Sequence, residues 1–243
     1  MKGIILAAGK GTRLLPCTKV TNKALLPVYN KPMICYPIET LRSAGIKEIM
    51  IVVNKRDAVA FKRLLGNGKE WSLNNIEYII QKTMLGSADA LRITKKFANK
   101  EKIVLMFGDN IIEESIKKDV KIFEKQTSGA RFFLKKMDNP SRFGIAEIKN
   151  NEIINIEEKP ENPKSNLAIM GIYMYDQQVF DIIRTIKPSA RGEYEITDIN
   201  NFYIKNDTVT YKILDGFFSD AGTFESLHEA ACFVANKKDN NSI

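Results

Sequence analysis

Five consecutive apolar residues, Ile49-Met50-Ile51-Val52-Val53, restrict the fold of this chain more than any other feature. A run that short cannot span a bilayer. Lacking an alternating polar side, it is a poor fit to a strand with one face in water. It predicts a strand buried on both faces, as in a parallel sheet covered by helices. Neighbouring segments repeat the theme. Strands are expected at Gly3–Ala7, Glu48–Val53, Ile76–Ile80, Ile103–Phe107 and Ala130–Lys135. Helical patterns lie between them near Met33–Ala44, Arg56–Leu65, Ser87–Phe97 and Glu113–Gln126. This alternation points to an α/β open sheet, whose ligands bind beyond the carboxyl ends of the strands.

The second half is patterned differently. Ile145–Ile148 and Ile153–Glu157 flank a Lys149-Asn150-Asn151 turn and read as a hairpin, with a further strand at Leu167–Tyr175. Helices are expected at Gln177–Ile186, Ile196–Lys205 and Phe224–Asn236. No internal repeat, low-complexity block or long linker divides the chain, so residues 1–237 are expected to form one domain, followed by a polar tail at 238–243.

Composition excludes several function classes. With 243 residues and 44% hydrophobic content, the chain can build its core without disulfides or a structural metal. Its three cysteines, Cys17, Cys35 and Cys232, have no C-x-x-C spacing and are expected to be packing residues. A single histidine, His228, falls in a helical pattern, so histidine-dependent catalysis is not expected. The net charge of +8 suits an anionic partner. Its lysines and acids are interspersed, however, as on a solvated surface, and no basic stripe with interleaved aromatics suggests nucleic acid. No signal peptide or membrane segment is evident, and a cytoplasmic enzyme is the expectation.

The first strand runs into Leu6-Ala7-Ala8-Gly9-Lys10-Gly11-Thr12-Arg13-Leu14. Glycines let the backbone turn sharply and bring N–H groups close to a phosphate. The spacing is neither the dinucleotide fingerprint nor a Walker loop, and alone it also fits an ordinary strand-to-helix turn. Arg13 and Lys23 together suit a polyphosphate better than a singly charged ligand. Asp109 ends an apolar strand and Asp220 precedes a glycine turn, and two such acids could share one magnesium ion. A turn aspartate is the bland alternative at each position. In Glu157-Glu158-Lys159-Pro160, the carboxylate and amine could bind sugar hydroxyls and a phosphate, or form a surface ion pair. Arg191-Gly192-Glu193 reads, by itself, as a solvated turn.

Taken together and in order, these segments closely resemble the glucose-1-phosphate thymidylyltransferase family of sugar-nucleotide pyrophosphorylases. The resemblance runs from Met1 to about Ala235. Its motifs are G-I-I-L-A-A-G-K-G-T-R-L, L-L-P-V-Y-N-K-P-M-I, G-D-N-I, D-N-P-S-R-F-G, E-E-K-P and K-P-S-A-R-G-E-Y-E-I-T-D-I-N. It implies a Rossmann-like, mostly parallel mixed sheet flanked by helices, with a smaller sugar-binding β-rich insertion. The nucleotide-binding part would cover about 1–128 and the sugar-phosphate-binding part about 129–237.

It further implies that Gly9, Gly11, Thr12 and Arg13 hold the nucleotide phosphates and that Lys23 stabilises the departing pyrophosphate. Gln81 and Gly86 would meet the base, and Asp109 and Asp220 would hold Mg2+. Gly144 and Glu158 would position the sugar, while Lys159 and Arg191 grip its phosphate. Arg13, Lys23 and Lys159 are thus the expected catalytic groups. The implied substrates are dTTP or UTP and glucose 1-phosphate, and the implied assembly is a homo-oligomer.

This sequence departs from the family pattern in several places. Gly86-Ser87-Ala88-Asp89-Ala90 replaces the usual G-L-A-Q-A and is similar to uridylyltransferases and other sugar-nucleotide enzymes. Ala24 replaces a glutamine, Phe143 replaces a tyrosine, and the C-terminal extension of the longer members is missing from this sequence. Three alternatives stand beside the resemblance: a different sugar 1-phosphate, a glycosyltransferase of similar topology, and a non-catalytic regulatory scaffold. A glycosyltransferase would be expected to carry a D-x-D motif, which Asp109-Asn110-Ile111 is not. A scaffold would have no need of Arg13, Lys23, Asp109, Lys159 and Asp220 together.

Overall fold

The structure, a computed structural model, describes residues 1–206 and 209–239. In chain order its first half comprises β1 (Lys2–Leu6), the two-residue ribbon β2 (Pro27–Val28) and β3 (Lys31–Pro32), α1 (Cys35–Ser43), β4 (Glu48–Val53), α2 (Ala58–Leu65), β5 (Asn75–Ile80), α3 (Ser87–Arg92), α4 (Lys95–Ala98), β6 (Ile103–Phe107), β7 (Ile111–Ile112) and α5 (Lys117–Lys125). There follow β8 (Ala130–Lys136), β9 (Gly144–Lys149), β10 (Glu152–Glu158), β11 (Leu167–Tyr175), α6 (Val179–Ile182), α7 (Ile196–Lys205), β12 (Val209–Ile213), β13 (Phe218–Ser219) and α8 (Phe224–Asp239).

Seven strands lie in the order β10-β9-β11-β6-β1-β4-β5, and β8 pairs with β11 and carries β12. β5, β4, β1 and β6 are parallel, whereas β11 joins β6 antiparallel. The result is the expected mixed sheet, parallel through β5-β4-β1-β6 and between β8 and β12, and antiparallel where β9, β10 and β11 join it.

Strand alternation builds two cores from this one sheet. Ile5, Ile49, Ile51, Val53, Val104 and Met106 face α1, α2 and α5. Ile4, Met50, Val52, Ile103 and Leu105 face α3, α4, α6 and α7. The apolar run of β4 therefore has no polar side because both of its sides lie under helices.

Several elements differ from their sequence expectation for identifiable reasons. The helix expected over 87–97 breaks after Arg92, where the buried Thr94 hydroxyl donates to the Leu91 carbonyl and competes with the helical ladder. The helix expected from Glu113 begins at Lys117, because Glu113 accepts from Phe217 N and Glu114 accepts from Asp215 N and Gly216 N. The helix expected over 177–186 is helical only over Val179–Ile182. α8 continues to Asp239, so the expected tail begins inside a helix; residues 240–243 lie outside the described residues. The hairpin turn is as expected, with Asn150 and Asn151 both in the left-handed region (φ 51° and 63°), as a two-residue turn requires. Edge strand β12 was not anticipated, although Val209, Tyr211 and Ile213 alternate with polar residues.

Register decides where the loops emerge. Leu6 lies opposite both Val52 and Phe107, and Val53 opposite Ile80, so the segments after β1, β4, β5 and β6 all leave the same edge. The β7–β13 ribbon, with Ser219 opposite Ile111, then brings Asp220 back across more than a hundred residues to this edge. Among the described residues, no helix is long and apolar enough to cross a membrane.

Candidate functional site

At the end of β1 the backbone turns through Gly11, whose φ of 64° favours glycine; a Cβ there would meet Thr18 Cγ2 at 2.9 Å and Lys23 Cβ at 3.0 Å. The loop is pinned from behind. The Thr18 hydroxyl donates to Gly11 O at 2.8 Å, and Asn22 Nδ2 donates to Ala7 O at 3.0 Å and to Asp57 Oδ2 at 2.9 Å. Asn22 Oδ1 caps the turn that carries Lys23 by accepting from Ala24 N. Asp57 also accepts from Asn54 and Arg56. Burial alone would raise its carboxyl pKa, but these hydrogen bonds and the Arg56 charge outweigh burial and lower it. Sequence reasoning missed Asp57, since its partner Asn22 lies 35 residues away.

Gly9, Gly11, Thr12, Lys23, Gln81, Gly86 and Asp109 line a cleft of about 430 Å³ above the sheet edge. On its floor side, Gln81 Nε2 donates to Gly86 O at 3.3 Å and to Asp89 Oδ2 at 3.1 Å. Gly86 has φ 106°, and a Cβ there would lie 2.5 Å from Tyr194 O. That closeness reflects a tether between two loops: Tyr194 N donates to Leu85 O at 2.7 Å, and Ala88 N donates to Tyr194 O at 3.0 Å.

A second cavity, of about 260 Å³, is lined by Arg13, Lys23, Asp109, Gly144, Glu158, Lys159, Arg191 and Asp220. Gly144 opens β9, and a Cβ on it would meet Ile169 Cγ2 at 2.8 Å. Glu158 Oε1 lies 3.4 Å from both Lys159 Nζ and Arg191 Nη2, and Glu158 Oε2 accepts from the Thr197 hydroxyl at 2.5 Å. Glu195 accepts from Arg191 at 2.7 Å. Burial opposes the Arg191 charge, but Glu195, Glu158 and Glu193 outweigh it and raise the guanidinium pKa. The Arg191 turn is thus held to the site by carboxylates.

The two expected metal ligands face cations. Lys23 Nζ pairs with Asp109 Oδ2, while Asp220 Oδ2 lies 3.7 Å from Arg13 Nη2 and 3.2 Å from Arg142 Nη2. Among the described residues, no group of three or more His, Cys, Asp or Glu is placed to hold a metal ion.

Every one of the sequence-derived site residues lines one of the two cavities, but Arg13, expected beside Gly9, Gly11 and Thr12, lines the second rather than the first. Sequence reasoning assigned no role to Arg142, Glu195, Thr197 or Asn110. Asn110 is 2% exposed, lines the second cavity, and its Oδ1 has no hydrogen-bond partner among the described residues. Its place directly after Asp109 was the available signal.

The cavities adjoin along a seam shared by Lys23, Ser87, Phe107, Asp109 and Glu193. One cleft is lined by glycine backbone and lysines, the other by cations and carboxylates, and their seam holds one cation, Lys23, and two acids, Asp109 and Glu193.

Comparison with known proteins agrees with this geometry. A family model described as nucleotidyl transferase matches residues 2–237. The glucose-1-phosphate thymidylyltransferase of Neisseria meningitidis is 44% identical over 96% of this chain and 82% of its own length. That of Mycolicibacterium smegmatis is 41% identical over the same shares. A Bacillus anthracis protein crystallised with sucrose superposes with a TM-score of 0.92 and 46% identity, covering 96% of this chain and 94% of its own. A UDP-glucose pyrophosphorylase complexed with UDP-glucose superposes with a TM-score of 0.87 at 25% identity, covering 97% and 98%.

Proposed function

This chain belongs to the nucleotidyl transferase family, and from that premise we propose that it transfers a nucleoside monophosphate from dTTP, or less readily UTP, to glucose 1-phosphate. The products are dTDP-glucose or UDP-glucose and pyrophosphate. The observation that carries this reading is the seam: a nucleotide in the first cleft and a sugar phosphate in the second would meet at Lys23 and Asp109.

An oxygen of the sugar phosphate attacks the α-phosphorus in line with the leaving group. A new P–O bond forms as the bond to the β-phosphate oxygen breaks, and the electron pair leaves with pyrophosphate. A phosphate monoester is already ionised at neutral pH, so no general base is needed and His228 has no part to play. The protein's work is positioning and charge neutralisation. Lys159 and Arg191 hold the sugar phosphate, Glu158 accepts from sugar hydroxyls, and Arg13 and Lys23 offset charge on the pyrophosphate.

Asp109 and Asp220 fit a magnesium ion, since Mg2+ is commonly held by one or two carboxylates with substrate phosphates completing its shell. Bound there, it would polarise the α-phosphate.

Residues 1–237 are read as one domain because a single sheet runs through both halves. Cytoplasmic residence and homo-oligomerisation belong to the same reading and rest on the family resemblance.

The test is pyrophosphate release across a matrix of nucleoside triphosphates and sugar 1-phosphates. Expected are dTTP ahead of UTP, poor use of ATP and GTP, and preference for glucose 1-phosphate. dTTP and UTP differ by a methyl, worth about 1–3 kcal/mol in an apolar pocket, and by the ribose 2′-hydroxyl, so both are expected to be used. A purine nucleotide in first place would overturn the reading of Gln81 and Gly86.

A further inference from the structure

Gln81 is 7% exposed, and both hydrogens of its amide are committed. Nε2 donates to Gly86 O at 3.3 Å and to Asp89 Oδ2 at 3.1 Å. Oε1 accepts no hydrogen bond from a described residue, and Gln81 lines the nucleotide cleft. Asp89 is itself fixed: it is 5% exposed, and its other oxygen, Oδ1, accepts from Arg92 Nε at 3.0 Å and Arg92 Nη2 at 2.6 Å. A carboxylate can only accept here, so it selects the NH2 end of the Gln81 amide and turns the carbonyl end away.

We propose that Asp89 is a specificity-determining positioning residue that fixes the Gln81 amide with its carbonyl toward the base, and so selects pyrimidines bearing an N3–H. The inference rests on reading the first cleft as the base site. Uracil and thymine present a donor at N3, which Oε1 accepts. Cytosine presents a lone pair there, and two acceptors would face each other. A site built around one substrate N–H discriminates strongly against an analogue that lacks it, because its buried polar group is left unpaired. Asp89 lies in the segment where this chain departs from the thymidylyltransferase pattern, Gly86-Ser87-Ala88-Asp89-Ala90. The departure therefore places a fixed carboxylate against the Gln81 amide.

The experiment compares kcat/KM for UTP and CTP, which share a ribose and triphosphate, in four proteins: wild type, Asp89→Asn, Gln81→Ala and the double variant. Wild type is expected to prefer UTP by about a hundredfold or more. Asp89→Asn keeps the side-chain shape but offers Gln81 a donor, and should shrink that ratio at least about tenfold while purine triphosphates stay poor. In the Gln81→Ala background the same substitution should leave the UTP:CTP ratio unchanged, because the residue it acts through is gone. An unchanged ratio in Asp89→Asn overturns the proposal, and so does an equal shift with and without Gln81. Should Asp89→Asn fail to fold, Arg92→Ala, at a half-exposed residue, frees the same carboxylate and should narrow the ratio in the same direction; no narrowing overturns the proposal. A wild-type preference for ATP or GTP instead removes the pyrimidine reading and this inference with it.

Discussion

Lys159 occupies the left-handed backbone region at φ 47°, a conformation that costs a non-glycine residue on the order of 1–3 kcal/mol. The cost is offset by Lys159 N donating to Phe143 O at 3.0 Å, and the outcome is an ammonium aimed into the second cavity beside Glu158. If it grips both the sugar phosphate and the α-phosphate during transfer, its interaction is strongest in the transition state, where the two are drawn together. Lys159→Ala is therefore expected to lower kcat at saturating substrates; a change confined to the nucleotide's KM would contradict that role. Asp109 and Asp220, on the reading proposed above, would act through a bound magnesium ion. Asp109→Asn and Asp220→Asn should each reduce turnover by at least about a hundredfold while the fold survives, and chelator should abolish activity of the wild type. Full turnover in chelator, or in either variant, would remove the magnesium assignment. Each substitution also leaves cations unpaired, Lys23 in one case and Arg13 with Arg142 in the other.

At the scale of elements, the loop after β1 is only as rigid as its hold on the start of α2. That hold is Asn22–Asp57, with Asn54 and Arg56 completing the carboxylate's partners. Asp57 has a pKa below its unfolded value when folded, so its contribution is fully present above about pH 4, the unfolded carboxylate value, and is lost as pH falls through the lowered folded value. Asp57→Asn should cost about 1.5–3 kcal/mol at pH 7, the range for hydrogen bonds to charged groups. Thermal melts from pH 7 to 2 check this: the gap between variant and wild type should narrow below about pH 4, and a gap constant across the range would rule out this role.

Much at this scale was legible beforehand. β4, β6, β11 and α7 have the expected bounds, because unbroken apolar runs and a clear helical period leave few alternatives. What escaped depended on partners. β12 is half-buried at an edge, the two-residue ribbons are too short to carry a period, and α3 stops where Thr94 finds a carbonyl. The motifs gave the residue types of the site, but Lys23 with Asp109, 86 residues apart, is a pairing that only the folded sheet creates.

Across the whole molecule, neither half of the chain completes a core alone. β11 pairs through Ile172–Tyr175 with the flank of β6, and α6 and α7 close the same apolar layer as α3 and α4. A fragment of residues 1–128 would present β6 as an unpaired edge beside an uncovered apolar layer, an invitation to aggregate. It is expected to be insoluble or unfolded, while the full chain melts in one cooperative transition; a soluble, cooperatively melting fragment would argue for two independent domains. The same interdependence reaches the ligands through the Tyr194 backbone bonds to Leu85 and Ala88. The loop proposed to meet the base and the segment that carries Arg191 are thereby tied together. Any factor by which a bound nucleotide improves affinity for the sugar phosphate must be returned by the sugar phosphate to the nucleotide. A substitution that weakens this tether would therefore be felt at both ends, in the affinity for either ligand when the other is bound.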